Sequence, residues 1–379
     1  MIYFDNGATT FPKPISVINS INTANKRYGA NPGRGGHKLA IKSSEMVYNA
    51  RKITADFFGA KNPENVIFSL NCTTAINTVI KGLLKSGDHV IISSLEHNAV
   101  LRPLEKLKEK GVSYSVAEVV EGDNEATLSN FRNAINENTK LLVCTYASNV
   151  VGIKLPIERI CSMCHQYNIL CCVDGAQSAG TVPINLSDSS IDYLCISGHK
   201  GLYGPMGVGA LIINCDVIPE SLVEGGTGSN SVEYTQPLIL PDKFESGTNN
   251  FSGIIGMGEG IKFINSYGQM RIYKKEIDIL SRIYDKLESM RNIVLYTQRP
   301  NIDYYVPVLS FNVKGKNSEE VAEVLSSKYN IAVRAGLHCA PLAHKSIGTL
   351  DIGTVRIVPS VFTSNYDINV LISAIYKII

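Results

Sequence analysis

The sequence predicts an α/β protein: a large domain with a mostly parallel sheet sandwiched by helices, and a smaller α+β domain at the C-terminal end. From residue 45 to residue 213, stretches of helical periodicity alternate with short apolar runs. The apolar runs are continuous, which is typical of strands that are buried on both faces of a parallel sheet. The composition agrees, because 44% of the 379 residues are hydrophobic and only 18% are charged, against an ordinary value of ~25%.

Helices and strands are predicted in strict alternation over the first part of the chain. The predicted helices are Ser44–Phe58, about Thr74 to Leu84, Val100–Lys110, Leu128–Ile135 and Ile157–Tyr167. The predicted strands are Asn65–Leu70, His89–Ser93, Ser113–Val119, Lys140–Tyr146, Ile169–Val173, Tyr193–Ile196 and Gly209–Ile213.

The pattern changes after Asn250 and predicts a second domain. A helix over residues 256–267 leads into a long charged helix over residues 270–290, followed by a mixture of strands and helices. The later strands are Val306–Val313, Ala332–Arg334 and Thr354–Val358, and the later helices are Ser318–Ser327 and Tyr366–Tyr376. We expect a large domain over residues 15–265 and a small α+β domain built from residues 1–14 and 266–379. Pro12 and Pro14 break the chain before the first helix, which favours this division.

Charge and cysteine content narrow the possible partners and location. The net charge of +2 provides no basic field for nucleic acid, and no apolar run reaches the length that spans a bilayer. The N-terminus lacks a basic segment followed by an apolar stretch, so we expect no signal peptide. Many of the nine cysteines fall inside apolar runs. We therefore predict free thiols and a cytoplasmic protein without nucleic-acid or membrane partners.

Polar residues follow the ends of several predicted strands, where open α/β sheets bind their ligands. Asp174 alone would be a helix N-cap and Lys200 alone a solvated loop residue. Together with the other strand-end residues they indicate a site, because a lysine among small residues can approach a flat ligand closely. Desolvation would lower its pKa and make it a nucleophilic amine. The strand-end segments are Asn71–Thr74, Glu96–Asn98, Ser148–Asn149, Asp174–Gln177 and Ser197–Gly201.

The chain resembles pyridoxal-phosphate enzymes of the class V aminotransferase family, in the cysteine desulfurase and selenocysteine lyase group. The resemblance spans nearly the whole chain and implies the pyridoxal-phosphate-dependent transferase fold of type I, with pyridoxal 5'-phosphate as cofactor. It is carried by Phe4–Thr10, Glu96–Ala99, Asp174–Gln177, Ser197–Lys200, Phe244–Thr248 and Arg334–Ala340.

The resemblance assigns the cofactor residues. It implies that Lys200 binds the cofactor covalently and moves the substrate Cα proton, and that Asp174 pairs with the ring nitrogen. It also implies a catalytic role for His97, which would stack on the ring and could act in proton transfer. Asn149 and Gln177 would bond the ring hydroxyl. The phosphate would lie at the start of the helix near Thr74, with donors from the Cys72 backbone, Thr73, Ser197 and His199.

Three further implications concern the substrate, the partner subunit and the sulfur acceptor. Thr248 would reach the phosphate of a neighbouring subunit, which implies a homodimer. Arg356 would hold the substrate carboxylate through its planar fork, with Asn31 and His338 as further substrate-binding residues. Cys339 would accept the substrate sulfur, and a cation such as His338 or Arg334 would favour its thiolate. The Cys339 loop is short, so persulfide transfer would need a docked sulfur-acceptor protein.

The activity implied is removal of sulfur from L-cysteine to give L-alanine and a persulfide on Cys339. One alternative is a selenocysteine lyase that releases selenide and alanine from L-selenocysteine. Another is a class V aminotransferase or other pyridoxal-phosphate lyase in which Cys339 is incidental. A non-catalytic sulfur-carrier scaffold is disfavoured by the intact set of Lys200, Asp174 and His97. The sequence alone does not separate sulfur from selenium.

Two local features bear on the predicted site and on metal binding. Gly7 and Gly175 stand where alanine is more usual in the family, and as small-for-small changes they are expected to leave the site intact. Cys161, Cys164 and His165 have the spacing of a haem attachment site and, with Cys171 and Cys172, suggest zinc. We expect instead small buried thiols in an amphipathic helix and its following strand, and no metal.

Overall fold

The computed structural model describes residues 1–33, 35–229 and 231–379. The strands are β1 (Ile2–Tyr3), β2 (Val66–Ser69), β3 (His89–Ser93), β4 (Ser113–Ala117), β5 (Thr139–Thr145), β6 (Leu170–Asp174), β7 (Tyr193–Ser197), β8 (Gly209–Ile213), β9 (Ile293–Leu295), β10 (Leu309–Val313), β11 (Ile331–Ala332), β12 (Arg334–Gly336) and β13 (Thr354–Ile357). The helices are α1 (Ile15–Arg27), α2 (Lys38–Phe58), α3 (Cys72–Leu83), α4 (Asn98–Lys108), α5 (Asn124–Asn133), α6 (Ile157–His165), α7 (Phe251–Tyr267), α8 (Gln269–Glu288), α9 (Ser318–Tyr329), α10 (Pro341–Ser346) and α11 (Asn365–Ile378).

The central sheet has the strand order β2-β8-β7-β6-β5-β3-β4. The pairs from β7 to β4 are all parallel, whereas β8 runs antiparallel to both of its neighbours. Successive side chains of a strand point to opposite faces, and both faces here are apolar. Ile91 of β3 packs in one core cluster while its neighbours Val90 and Ile92 pack in another. This mostly parallel, doubly covered sheet confirms the predicted fold class.

Several helices begin earlier than the apolar periodicity predicts. The helix α2 begins at Lys38 rather than Ser44, with the His37 ring accepting from the backbone N–H of Ala40. The helix α3 begins at Cys72, because the Asn71 side chain accepts from the backbone N–H of Thr74. Polar capping residues satisfy the free N–H groups of a first turn without adding to an apolar pattern. None of the helices in the described ranges combines the length and apolar character that crossing a bilayer requires.

The C-terminal part contains a four-stranded antiparallel sheet of order β12-β13-β10-β9. The prediction of one continuous strand over Ala332–Arg334 is wrong. It divides into β11, which pairs in parallel with β1, and β12, which pairs with β13. The N-terminal chain continues beside this region, since Asp5 bridges to Val358 and Phe4 is buried in the same core cluster as Ile357. The first residues of the chain are thereby placed against Arg356 of β13.

Candidate active site

A cavity lies at the edge of the central sheet where β2, β3, β5, β6 and β7 end. The parallel register places Thr145 of β5 beside Asp174 of β6, and Asp174 beside Cys195 of β7. The polar residues that follow these strands therefore converge. Among the predicted site residues, the cavity is lined by Cys72, Thr73, His97, Asn149, Asp174, Gln177, Ser197, His199 and Lys200.

The carboxylate of Asp174 is buried and accepts two hydrogen bonds on the same oxygen. Oδ1 accepts from the backbone N–H of Ala176 at 2.9 Å and from the thiol of Cys72 at 3.3 Å. Both donors, which are described residues, therefore bond to Oδ1 of this carboxylate. The prediction gave Cys72 only a backbone role, so the contact of its side chain with Asp174 was missed.

Two opposing effects act on the pKa of the Lys200 amine. Desolvation lowers the pKa of the Lys200 amine, and the charge of Asp174 opposes that effect. The loop that carries Lys200 is fixed by the N-terminal segment, since Thr10 Oγ1 donates to the carbonyl of Lys200 and Lys13 Nζ donates to that of His199 at 2.7 Å. A lysine amine with a lowered pKa in a fixed position is suited to nucleophilic and proton-transfer chemistry.

The imidazole of His97 is neutral and fixed in one tautomer. Burial lowers the pKa of His97, although the charge of Asp174 opposes this. Its Nδ1 accepts from the backbone N–H of Ala99 at 3.0 Å, so the neutral ring carries its proton on Nε2. The same hydrogen bond caps α4 and sets the direction of the ring.

Two buried polar atoms in the cavity have no hydrogen-bond partner among the described residues. They are Ser197 Oγ and His199 Nδ1. Burial, with a smaller effect from Lys200, lowers the pKa of His199 to about 4, so its ring is neutral. Leaving buried polar atoms unpaired is unfavourable, and here they lie beside the N-terminus of α3, which attracts anions. These residues fit a bound anionic group such as a phosphate.

Arg356 of β13 is 1% exposed and is held by two acceptors. One guanidinium nitrogen donates to the carbonyl of Asn149 at 2.8 Å, and the other pairs with Asp5 Oδ1 at 3.1 Å. Its Nε is buried without a partner among the described residues. The guanidinium therefore retains a free donor, which a carboxylate ligand could occupy.

Gly7 packs against this arginine more closely than the sequence indicates. A Cβ on Gly7 would lie 2.9 Å from Val358 Cγ2 and 3.1 Å from the guanidinium carbon of Arg356. The first distance is shorter than folded proteins tolerate without movement. An alanine at position 7 of this chain would therefore require one of these two side chains to move.

The loop after β12 carries His338 and Cys339. The Cys339 side chain is exposed, but His338 is buried and its Nε2 donates to the carbonyl of Thr354 at 3.1 Å. Burial, followed by the charge of Arg356, lowers the pKa of His338 to about 2. The prediction that His338 could be a cation near Cys339 is wrong, because its buried ring is neutral. Arg334 stays the predicted cation that would favour the Cys339 thiolate.

Backbone contacts hold the Cys339 loop against the cavity. The backbone N–H of Asn98 donates to the carbonyl of Cys339 at 2.7 Å, and Asn149 Nδ2 donates to the carbonyl of His338 at 2.8 Å. Both loop residues have positive φ, 49° for His338 and 58° for Cys339. Such angles are uncommon outside glycine and are retained where contacts fix them. The loop is thus tied to the same two segments that carry His97 and Asn149.

Five predicted site residues do not line this cavity in the single chain: His338, Cys339 and Arg356 lie next to it, and Asn31 and Thr248 lie apart from it. Asn31 and Thr248 are exposed, and Asn31 Nδ2 donates to Thr248 Oγ1 at 3.4 Å. They line two other surface depressions, one containing Asn31 and one containing Thr248.

The cysteine-rich segment of α6 is separate from the cavity. Cys161 and Cys164 are buried in the core, and the cysteines of the chain, all within the described ranges, are free thiols. His165, Cys171 and Asp192 have ligand atoms within 4.8 Å of one another. They lie at the opposite edge of the sheet, where Asp192 Oδ2 pairs with His165 Nε2 at 2.9 Å and accepts from the Cys171 backbone at 2.7 Å.

Comparisons with known proteins give full-length matches. The sequence profile described as aminotransferase class-V matches residues 2–371. A probable cysteine desulfurase from Methanothermobacter thermautotrophicus is 32% identical over 376 residues, covering 98% of this chain and 92% of that protein. A probable cysteine desulfurase from Pyrococcus abyssi is 34% identical over 393 residues, covering 100% of this chain and 94% of that protein.

A solved structure agrees with these sequence matches. The apo structure of a cysteine desulfurase from Thermococcus onnurineus NA1 superimposes with a TM-score of 0.89 at 32% identity. The match covers 100% of this chain and 94% of that one.

Proposed function

The chain belongs to the class-V aminotransferase family, and from this membership we propose that it is a pyridoxal-phosphate-dependent cysteine desulfurase. It would convert L-cysteine to L-alanine and transfer the sulfur to Cys339 as a persulfide. The observation that carries this proposal is the 2.7 Å hydrogen bond from the Asn98 backbone to the carbonyl of Cys339. It holds an exposed thiol beside the cavity that contains Lys200 and Asp174.

The cavity residues support pyridoxal 5'-phosphate as the cofactor. When bound, this group acts as the electron sink for a carbanion at the substrate Cα. Ser197 Oγ, His199 Nδ1, Thr73 and the start of α3 would hold its phosphate. The first two atoms are buried without a partner among the described residues, which supports this assignment. Asp174 would hold the ring nitrogen, Asn149 and Gln177 the ring hydroxyl, and His97 would lie against the ring.

Lys200 would bind the cofactor covalently and then act as a base. Burial lowers the pKa of this amine, which favours its neutral, nucleophilic form. Released by the incoming substrate amine, Lys200 Nζ would take the proton from the substrate Cα. The hydrogen bonds of Thr10 and Lys13 to the Lys200 loop hold the backbone still during this transfer.

Arg356 would bind the substrate carboxylate. Its buried Nε lacks a partner in the described part of the chain, and a charge-assisted hydrogen bond from a guanidinium to a carboxylate is strong. Because Arg356 also donates to the carbonyl of Asn149, the substrate carboxylate would lie next to the cavity and the Cys339 loop.

Cys339 would act as the nucleophile toward the substrate sulfur. Its thiolate attacks that sulfur, an S–S bond forms as the substrate Cβ–S bond breaks, and the bonding electron pair passes to the carbon skeleton. Protonation of the carbon skeleton then gives alanine. An exposed, deprotonated thiol is required for this step, and Cys339 is exposed.

The proposal extends to assembly, sulfur acceptor and location. Asn31 and Thr248 line depressions apart from the cavity, so a second copy of the chain would bring Thr248 to the phosphate and form a homodimer. Because the Cys339 loop is short and tied down, the persulfide would pass to an acceptor protein that docks on it. The free thiols favour a cytoplasmic location.

The experiment that tests this function measures alanine release by the cofactor-loaded protein. Alanine from L-cysteine, with a persulfide on Cys339 detected by mass spectrometry, is the expected result. Borohydride reduction should fix the cofactor on Lys200, and an adduct on another lysine such as Lys13 would remove that assignment. Release of alanine from L-selenocysteine but not from L-cysteine would replace the proposal with a selenocysteine lyase.

A further inference from the structure

We propose that the thiol of Cys72 is a positioning group for Asp174: it donates a hydrogen bond to Oδ1 and leaves Oδ2 to face the ring nitrogen of the cofactor. This inference rests on the proposed function, because it assigns a role toward the same cofactor. It goes beyond that function because the first turn of α3 would then have two roles. Its backbone would hold the cofactor phosphate, and its Cys72 side chain would orient the carboxylate that pairs with the cofactor ring.

The geometry around Asp174 carries the proposal. The Cys72 Sγ lies 3.3 Å from Oδ1, and the backbone N–H of Ala176 lies 2.9 Å from the same atom. The backbone bond comes from the turn after β6 and the thiol comes from α3, so the two donors approach from different elements. Two donors on one oxygen fix the rotation of a carboxylate about its Cβ–Cγ bond. The second oxygen is then held in a single direction.

The protonation of Cys72 supports its role as donor. Burial, reinforced by the charge of Asp174, raises the pKa of the thiol. The group therefore stays an S–H over the pH range in which the enzyme would work, and it donates to the carboxylate rather than repelling it. This thiol differs from Cys339, which is exposed and suited to reaction.

The surroundings explain why this donor matters. Cys72 packs in a core cluster with Ile76, Cys172 and Cys195, and the last two have sulfur atoms 3.8 Å apart. These neighbours are apolar or weakly polar, so this side of Asp174 is lined by groups that stabilise a carboxylate poorly. A sulfur-bound hydrogen supplies a polar contact there without the desolvation demand of a charged group.

A packing role and a positioning role make different predictions. If Cys72 only fills space, replacing it with alanine should lower the unfolding temperature and leave cofactor binding unchanged. If it positions Asp174, the Ala variant should bind pyridoxal phosphate about fivefold more weakly and show a kcat lower by about tenfold, as expected for losing one hydrogen bond to a charged group. The KM for cysteine should change by less than about twofold, because Arg356 is untouched.

The experiment compares Cys72→Ala, Cys72→Ser and the wild type, with Cys161→Ala as the matched loss of a buried thiol elsewhere. Cofactor affinity is measured by titrating the apoprotein with pyridoxal phosphate and following cofactor absorbance over a range of pH. Steady-state alanine release gives kcat and KM. We expect Cys72→Ser to restore affinity and kcat to within about threefold of wild type, because a hydroxyl is also a donor, and Cys161→Ala to behave as wild type in both.

The outcomes separate the two hypotheses. A Cys72→Ala protein that matches wild type in cofactor affinity, absorbance and kcat would overturn the proposed role of Cys72 but not the proposed function. A serine variant as impaired as the alanine variant would also overturn it, since the donor would then be irrelevant. A wild-type protein that does not bind pyridoxal phosphate would overturn the proposed function, and this inference with it.

Discussion

The carboxylate of Asp5 lies 3.1 Å from a guanidinium nitrogen of Arg356, the residue proposed to hold the substrate carboxylate. The arginine is almost fully buried, while the aspartate side chain is 20% exposed. Arg356 is thus oriented before substrate arrives, by a carboxylate that leaves its Nε without a partner among the described residues. Orientation of a binding group in advance lowers the entropy that binding must remove.

Gly7→Ala should weaken substrate binding by moving this arginine. The new Cβ would be 2.9 Å from Val358 Cγ2 and 3.1 Å from the guanidinium carbon, so one of the two side chains must shift. We expect the KM for L-cysteine to rise about tenfold while kcat falls less, since small displacements of a binding group carry large effects. Steady-state alanine release measures both. Gly36→Ala is the control, because a Cβ there meets nothing within 4 Å; equal KM values for the two variants would contradict the prediction.

Asp174→Asn should keep the fold and lose most of the activity. The amide can still accept from Ala176, but it lacks the charge that would hold a proton on the ring nitrogen. We expect kcat to fall by about 100-fold or more, as for other lost electrostatic partners. The exposed Asp56→Asn is the control for removing one carboxylate. Activity within threefold of wild type would exclude Asp174 from the mechanism.

Cys339→Ala should distinguish sulfur from selenium chemistry. A cysteine thiolate is a poor leaving group, so alanine release from L-cysteine should fall by about 100-fold or more without the nucleophile. Selenium leaves more readily, and alanine release from L-selenocysteine should persist at a substantial rate. Both substrates are assayed in parallel, with Cys215→Ala as a control thiol outside the cavity. Full activity of Cys339→Ala on cysteine would make Cys339 a bystander and favour another lyase or an aminotransferase.

Glu276→Gln should flatten the pH dependence of stability. Burial raises the pKa of Glu276 from 4.5 to about 8, so the folded state binds the proton more tightly than the unfolded state. This contribution is complete below pH 4.5 and is lost as pH rises through about 8. Glutamine keeps an acceptor for the Tyr203 hydroxyl, 3.1 Å away, but does not titrate.

The wild type should therefore lose about 4 kcal/mol more unfolding free energy between pH 5 and pH 9 than Glu276→Gln does, at about 1.4 kcal/mol for each pH unit crossed below the folded-state pKa. Denaturant unfolding at several pH values measures the difference. Burial also raises the pKa of Glu96, so Glu276→Gln should retain part of the pH dependence of the unfolding free energy. The exposed Glu64→Gln serves as the control, and an unchanged slope in Glu276→Gln would refute the assignment.

The fold was predictable because the sheet is apolar on both faces. Continuous runs such as His89–Ser93 and Gly209–Ile213 match their strands residue for residue. The helix starts were harder, since Asn71 and His37 cap their helices through polar side chains. The split between β11 and β12 could not be read from one apolar run, because it depends on which partner strand lies alongside.

The site was predictable in residue type more than in contact. Strand-end position alone brought Asp174, Ser197 and Asn149 to one cavity. The neutral state of His338 depends on its burial beneath the loop, which no local pattern reports. The crowding at Gly7 involves β13, far along the chain. Such contacts need the tertiary arrangement.

The ties on the Cys339 loop bear on how sulfur leaves the enzyme. Swinging the loop outward would break the bonds from Asn98 and Asn149, at a cost of about 1–3 kcal/mol for two hydrogen bonds. The released conformer would then make up about one molecule in six to one in 160. Transfer of the persulfide sulfur would then depend on an acceptor protein whose reactive group reaches Cys339 at the entrance of the cavity. The rate of hydrogen exchange at the Asn98 amide would report the population of the released loop.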